Sequence, residues 1–219
     1  LGDVDILVKP EDVSKIDTVL SQSGYRSDRR LRSYPVSNYL NSLVCWENGS
    51  PLLLHLHWHL VNNALPNYMY AEKIDMDKIW NEAIPLKVRQ ADVLCLAPPH
   101  QLLHLSEHAM KHSYNTLIHV WDIHQVINHV KEKLDWERVC RESGEFQLRS
   151  PLFYSLWLNK EYFGTRVPQE ISESLRPRHR GAGEKIFSGL LRQGKRKEKL
   201  CWLFYFSNTP TLQKKIKFV

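Results

Sequence analysis

The sequence predicts an α/β (α+β) fold, with a small mixed β-sheet domain over residues 1–90 followed by an all-helical domain over residues 91–219. Three observations support this. The opening stretch Leu1–Val8 is apolar and β-branched with period-two alternation, as in a strand. Two further strand-like runs flank Asn48-Gly49, a dipeptide suited to the positive-φ turn of a β-hairpin. From Asp92 onward the apolar residues recur at helical spacing, and the segments are punctuated by Gly and Pro.

At 219 residues and 42% hydrophobic composition, the chain can bury a core in one large or two small domains. No apolar run approaches the roughly 18 residues of a membrane helix, so no membrane span is expected. Cys45, Cys95, Cys140 and Cys201 are scattered, which argues against a zinc ribbon or disulfide scaffold and for a reducing cytoplasm. The charged start is not a signal peptide. Because the chain opens inside a motif and stops in the helix-like run Lys214–Val219, it reads as a segment of a longer protein. The net charge of +6 is uneven: residues 176–219 carry 12 Lys/Arg against 2 Asp/Glu, and residues 1–175 carry 18 against 22. Such a basic end attracts polyanions without reading their sequence, or serves as a solvated helical face.

In chain order, Val4, Ile6 and Val8 of the first strand are expected to face inward, with Asp3 and Asp5 together on the other side. Pro10-Glu11-Asp12 opens a helix whose apolar positions are Val13, Ile16, Val19 and Leu20, with Gly24 as its stop. The polar connection Tyr25–Ser33 contains Arg26, Arg29, Arg30 and Arg32. The hairpin pairs Leu43–Trp46 with Leu52–Leu60; in its second strand Leu53, His55, His57 and His59 share one face. Residues 61–92 read as a connector with a short helix around Met76, Ile79, Trp80 and Ala83, and a further edge strand over Pro85–Val88. A helix enters at Ala97-Pro98-Pro99-His100 with Leu102, Leu103, Leu105, Ala109 and Met110 as its buried stripe, and His104, His108 and His112 line up along one flank. Further helices follow over Ile118–Val130, over Trp136–Glu142 with a connection at Gly144, from Pro151 to Phe163 with Gly164 as stop, and between Pro168 and Pro177. The aromatic run Leu200–Phe206 is a core helix or a surface for a partner chain.

Two aspartates on one face of a strand start repel each other unless a cation lies between them, and a hard oxygen-seeking ion such as Mg²⁺ or Mn²⁺ meets that need, with substrate phosphates completing its shell. Two solvated acids at a strand end are the plain alternative. The histidine row is a metal- or phosphate-facing surface, a set of half-buried histidines satisfied by backbone and water, or the mark of a degenerate site. Asp122, inside an apolar pattern, invites pairing with a cation such as His108 or Lys111. His104-Leu-Ser-Glu107-His108 is not the His-Glu-x-x-His of a zinc protease.

Gly2-Asp3-Val4-Asp5-Ile6-Leu7-Val8, followed by Leu56-His57-Trp58, Pro99–His112 and Asp135-Trp136, resembles an uncharacterised bacterial branch of the nucleotidyltransferase (DNA polymerase beta-like) superfamily, over roughly residues 1–165. The resemblance implies transfer of a nucleoside monophosphate from an NTP to an acceptor (a small molecule, a protein or a nucleic acid) with release of pyrophosphate. It implies Asp3 and Asp5 as ligands of Mg²⁺ or Mn²⁺, and His55 or His57 in the place of the family's third carboxylate or as the acceptor's base. It marks His108, Lys111 and His112 as cleft-facing groups for phosphate or acceptor, oriented in part by Asp122, with a helix flank packing histidines against neighbouring aromatics as the alternative. Arg30 and its neighbours would hold a triphosphate or be solvated loop charges. The second hairpin strand carries no acid, a departure from the family pattern. A non-catalytic nucleotide- or partner-binding module is therefore the second expectation.

Overall fold

A computed structural model describes residues 3–27, 40–47, 50–61, 68–177, 181–195, 197 and 199–209. The chain divides into two compact units, Leu1–Ala64 and Leu65–Val219. The division near residue 90 read from the sequence falls inside the second unit.

Among the described residues, the first unit is a four-stranded sheet with one α-helix. Its strands are β1 (Asp3–Leu7), β2 (Arg26–Ser27), β3 (Leu40–Glu47) and β4 (Ser50–His57), in spatial order β1-β4-β3-β2. β3 and β4 are antiparallel, and Glu47 pairs with Ser50 across a two-residue connection. That is the hairpin expected of Asn48-Gly49, which themselves lie outside the described residues. β1 joins β4 in parallel, Asp5 opposite His55 and Leu7 opposite His57. A parallel pair needs a crossover. This one begins with a 3₁₀ turn at Pro10–Asp12 and α1 (Val13–Gln22), which ends at Gly24 with φ +88°. Val8, Leu54 and Leu56 form the core of the unit, with Val13, Ile16, Leu20, Tyr25 and Trp58 packed against them.

Val4 and Ile6 share the sheet face of Leu54 and Leu56, yet they are 53% and 41% exposed. The inward packing expected of them is corrected: β1 is the edge strand, and among the described side chains of β1 and β4 the buried ones are Leu54 and Leu56. Val19 of α1 is likewise exposed.

The second unit begins with α2 (Tyr68–Ala71) and α3 (Met76–Asn81), whose N-cap Asp75 accepts the Lys78 backbone N–H. β5 (Ile84–Val88) and β6 (Ala91–Cys95) form a hairpin that turns at Arg89, φ 53°. The helical pattern expected from Asp92 thus starts six residues late, at α4 (Pro98–Lys111). Val93 and Leu94 belong to a strand, because Ile84–Val88 supplies a pairing partner that periodicity in one segment does not reveal.

α5 (Leu117–Val130), α6 (Trp136–Glu145), α7 (Arg149–Phe163), α8 (Gln169–Leu175), α9 (Ala182–Arg192) and α10 (Cys201–Asn208) complete the unit. Asp135, of the Asp-Trp motif, caps α6 by accepting the Arg138 N–H. The connection expected at Gly144 is instead the last turn of α6, whose C-cap is Phe146. Gly164 stops α7 in the left-handed conformation, φ +60°. α4 is the central helix. Leu102, Leu103, Ala109 and Met110 are buried, and so are Val120 and Ile123 of α5 and Leu152 and Leu158 of α7. Each fully buried leucine stabilises the fold by about 1.5–3 kcal/mol relative to an exposed one. α10 is a core helix, burying Cys201, Phe204 and Tyr205.

Candidate functional site

On β1 and β4 the register decides which side chains meet. Residues directly opposite in a sheet share a face, and so do residues two apart on one strand, so Asp5, His55 and His57 converge. The Nε2 of His57 lies 2.9 Å from Asp5 Oδ1, and the Nδ1 of His55 lies 3.3 Å from the same oxygen. Neither contact uses Oδ2. The Asp5 side chain is 56% exposed, while the imidazoles are about one-fifth exposed. The hydrogen bond from His55, then that from His57, hold the Asp5 carboxyl well below the usual carboxylate range, against a smaller upward push from partial burial. The group is an ionised carboxylate gripped from one side by two half-buried rings.

His59 leaves this row. Strand pairing ends at His57, and the chain bends, burying His59 so that its Nδ1 accepts the Val61 N–H at 3.2 Å. Asp3 sits two residues before Asp5 on β1, opposite Leu53; its side chain lies outside the described part of the chain. Arg30 also lies outside the described residues.

In the second unit the α4 flank gathers more histidines than its own three. His108 and His112 have ring centres 4.7 Å apart, and His119, from the first turns of α5, stands 5.1 Å from each. His104 is 6.2 Å from His108. The turn between α4 and α5 places Ser113 and Tyr114 consecutively at positive φ, a costly conformation for non-glycine residues. Surrounding bonds hold it. The buried Tyr114 hydroxyl donates to the Pro151 carbonyl, Ser113 Oγ accepts the Cys201 N–H at 2.9 Å, and the Cys201 thiol donates to the Lys111 carbonyl.

Burial pulls His108 down to about 2, with His104, His112, Lys111 and His119 adding to the shift, so its ring is neutral at neutral pH. Burial also lowers His119 and raises Asp122, which face each other one turn apart on α5. The electrostatic partner described for Asp122 is therefore His119, rather than His108 or Lys111. His119 was not anticipated. Its signal is a histidine in the first turn of the helix after a tight reversal, seven residues beyond His112.

A second group absent from the sequence reading joins α3, α4 and α6. His100 Nε2 lies 3.1 Å from Glu142 Oε2 and 3.4 Å from Glu82 Oε2. Glu142 Oε1 receives Lys78 Nζ at 2.8 Å and Arg138 Nε at 2.9 Å, and Arg138 also bonds Glu82. Among the described residues, this trio and Asp5-His55-His57 are the groups whose ligand atoms lie within 4.8 Å of one another. The Glu82-His100-Glu142 carboxylates already face two cations, so the group reads as a structural ion-pair network. The exposed Asp5 carboxylate has no Lys or Arg among its described contacts, and it is the better cation site.

A family model described as an uncharacterised nucleotidyltransferase matches residues 1–164. The chain belongs to this nucleotidyltransferase family. The match runs from β1 to the Gly164 stop of α7 and leaves α8–α10 outside. No curated protein and no solved structure matches the chain. Nucleotidyltransferases act on an NTP and usually use a divalent metal, and the Asp5-His55-His57 group is one that could hold such an ion. No helix among the described residues is long and apolar enough to cross a membrane.

Proposed function

We propose that the chain is a metal-dependent nucleotidyltransferase that moves a nucleoside monophosphate from an NTP to an acceptor oxygen and releases pyrophosphate. The observation that carries this reading is the Asp5 carboxylate, ionised and exposed on the family's Asp-x-Asp strand, with both imidazole contacts on Oδ1. The residues fit a divalent cation. Asp5 Oδ2 and Asp3 would hold Mg²⁺ or Mn²⁺, and a histidine entering the shell would favour Mn²⁺. The ion, when bound, neutralises charge on the triphosphate.

The chain's own groups do the rest. His55 and His57 fix the Asp5 carboxylate in one orientation. His57 engages Asp5 through Nε2, so its Nδ1 is the proposed acceptor of the proton lost as the acceptor oxygen attacks the α-phosphorus. Arg30 is proposed to hold the triphosphate. In the helical unit Lys111, His112 and Asp122 are proposed to bind phosphate or acceptor, with neutral His108 contributing a hydrogen bond rather than a charge. The acceptor is a small molecule, a protein or a nucleic acid.

The lack of an acid on β4 supports a second reading, a module that binds nucleotide or a partner without turnover. Thermal shift with each NTP plus Mg²⁺ or Mn²⁺, on the parent and on Asp3→Ala/Asp5→Ala, tests binding, and pyrophosphate release over a panel of acceptors tests turnover. A metal-dependent shift in the parent alone, with pyrophosphate release, supports the transferase. A shift without release at any acceptor supports the module. No shift in either protein rejects nucleotide binding at Asp5.

A further inference from the structure

The histidines of α4 and α5 have a geometry that phosphate binding does not call for. An imidazole bound to a zinc-like ion has its ring centre about 3.2 Å from the metal, so two such rings on a tetrahedral ion stand with centres about 5 Å apart. All three pairs among His108, His112 and His119 meet that spacing, at 4.7, 5.1 and 5.1 Å. His108 and His112 lie four residues apart on one helix, the spacing of a two-histidine clamp. His119 comes from a second helix, and its Nδ1 is bonded to Thr116 Oγ1 at 3.0 Å, which fixes the ring and leaves Nε2 to face a ligand. Each ring is half-buried, neither sealed nor fully solvated. As the rings stand, their ligand nitrogens do not all lie within 4.8 Å of one another, so aiming three nitrogens at one point requires ring rotation about χ2, a soft torsion. The backbone that sets the spacing is pinned by the Ser113, Tyr114 and Cys201 bonds.

We propose that His108, His112 and His119 form a binding site for one zinc-class transition-metal ion, with the fourth position open to water or to an anionic oxygen. Three histidines plus an open position is the donor arrangement of catalytic rather than structural zinc. Imidazole nitrogen selects zinc, cobalt or nickel over magnesium, so this site and the Asp5 carboxylate differ in the ion they take. The site uses no residue of β1–β4; it shares His108 and His112 with the phosphate or acceptor role proposed above, and Co²⁺ binding without nucleotide reads it separately from nucleotide binding at Asp5.

The test is titration of the metal-stripped, untagged full chain with Co²⁺ alone, followed by visible absorption and calorimetry. The variants are His112→Gln, His119→Gln and Asp5→Ala/His57→Ala, with circular dichroism confirming that each is folded. One Co²⁺ per chain with visible ligand-field bands, kept in Asp5→Ala/His57→Ala and weakened at least tenfold in His112→Gln and His119→Gln, is the expected result. If one glutamine variant fails to fold, the other carries the test, and Thr116→Val, which keeps all three ligands, is expected to weaken binding several-fold. Binding that is unchanged in the folded glutamine variant, or that is lost in Asp5→Ala/His57→Ala, overturns the site. Loss of the NTP-dependent thermal shift in Asp3→Ala/Asp5→Ala leaves this result untouched, so the two readings fail separately.

Discussion

Replacing Glu142 by alanine removes the acid at the centre of the α3–α4–α6 network, and the cost follows from its contacts. The Glu142 side chain is fully buried, and Oε1 takes charged bonds from Lys78 at 2.8 Å and Arg138 at 2.9 Å. A hydrogen bond to a charged group is worth about 1.5–3 kcal/mol, and breaking a buried ion pair costs about 3–5 kcal/mol. Lys78 and Arg138 are 27% and 24% exposed, so they recover part of their hydration, which puts the loss near the lower bound, about 3 kcal/mol. For a unit of this size that is about 6–12 °C in Tm. Urea unfolding followed at 222 nm, where the helices dominate, reads it directly. Glu142→Gln, which keeps an acceptor but no charge, is expected to lose about 2 kcal/mol. Burial pushes the Glu142 carboxyl up, and the bonds from Lys78 and Arg138 outweigh it, so its pKa is lowered from 4.5. The unfolded chain therefore binds this proton first: the contribution is complete above pH 4.5 and is lost as pH falls below it. A loss under about 1 kcal/mol in Glu142→Ala, or no coupling to Lys78→Ala in a double-mutant cycle, would refute the reasoning.

Other expectations concern the histidines, the glycines and Asp5. His108 falls from 6.5 to about 2 on folding, so the unfolded chain holds the extra proton between those values and stability drops as pH falls below 6.5; at pH 5 the loss is about 2 kcal/mol, and urea midpoints that are flat from pH 7.5 to 5 would contradict it. A Cβ at Gly183 would collide with the Leu203 carbonyl oxygen where α9 meets α10, so Gly183→Ala is expected to cost about 1–3 kcal/mol in thermal melts. Gly189, on the same helix with open space around it, should instead gain up to about 1 kcal/mol as alanine. Asp5→Asn keeps the shape but not the charge, and pyrophosphate release should fall at least about a hundredfold; full activity would remove Asp5 from the site.

Much of this was legible because it is local. The Asp-x-Asp strand, the hairpin around Asn48-Gly49 and the stops at Gly24 and Gly164 each rest on neighbours within a few residues. What escaped depends on distant chain. β6 is a strand because β5 is there to pair with it, and Val4 and Ile6 stay exposed because they lie on the sheet's edge. Arg138 meets His100 and Glu82 across 38 and 56 residues of sequence. The helical spacing of His104, His108 and His112 was readable, but the approach of His119 needed the α4–α5 turn.

The parallel pairing of β1 with β4 also governs the order in which the molecule can acquire its two histidine-bearing centres. Asp5 and His57 are 52 residues apart, so their contact closes a long loop and forms only after the β3–β4 hairpin has returned to the edge strand. His112 and His119 are joined by one tight reversal, and their approach accompanies the docking of two successive helices. In refolding of the full-length chain, the approach of His119 to His112 is therefore a short-range event, whereas the meeting of Asp5 with His57 reports completion of a long-range topology.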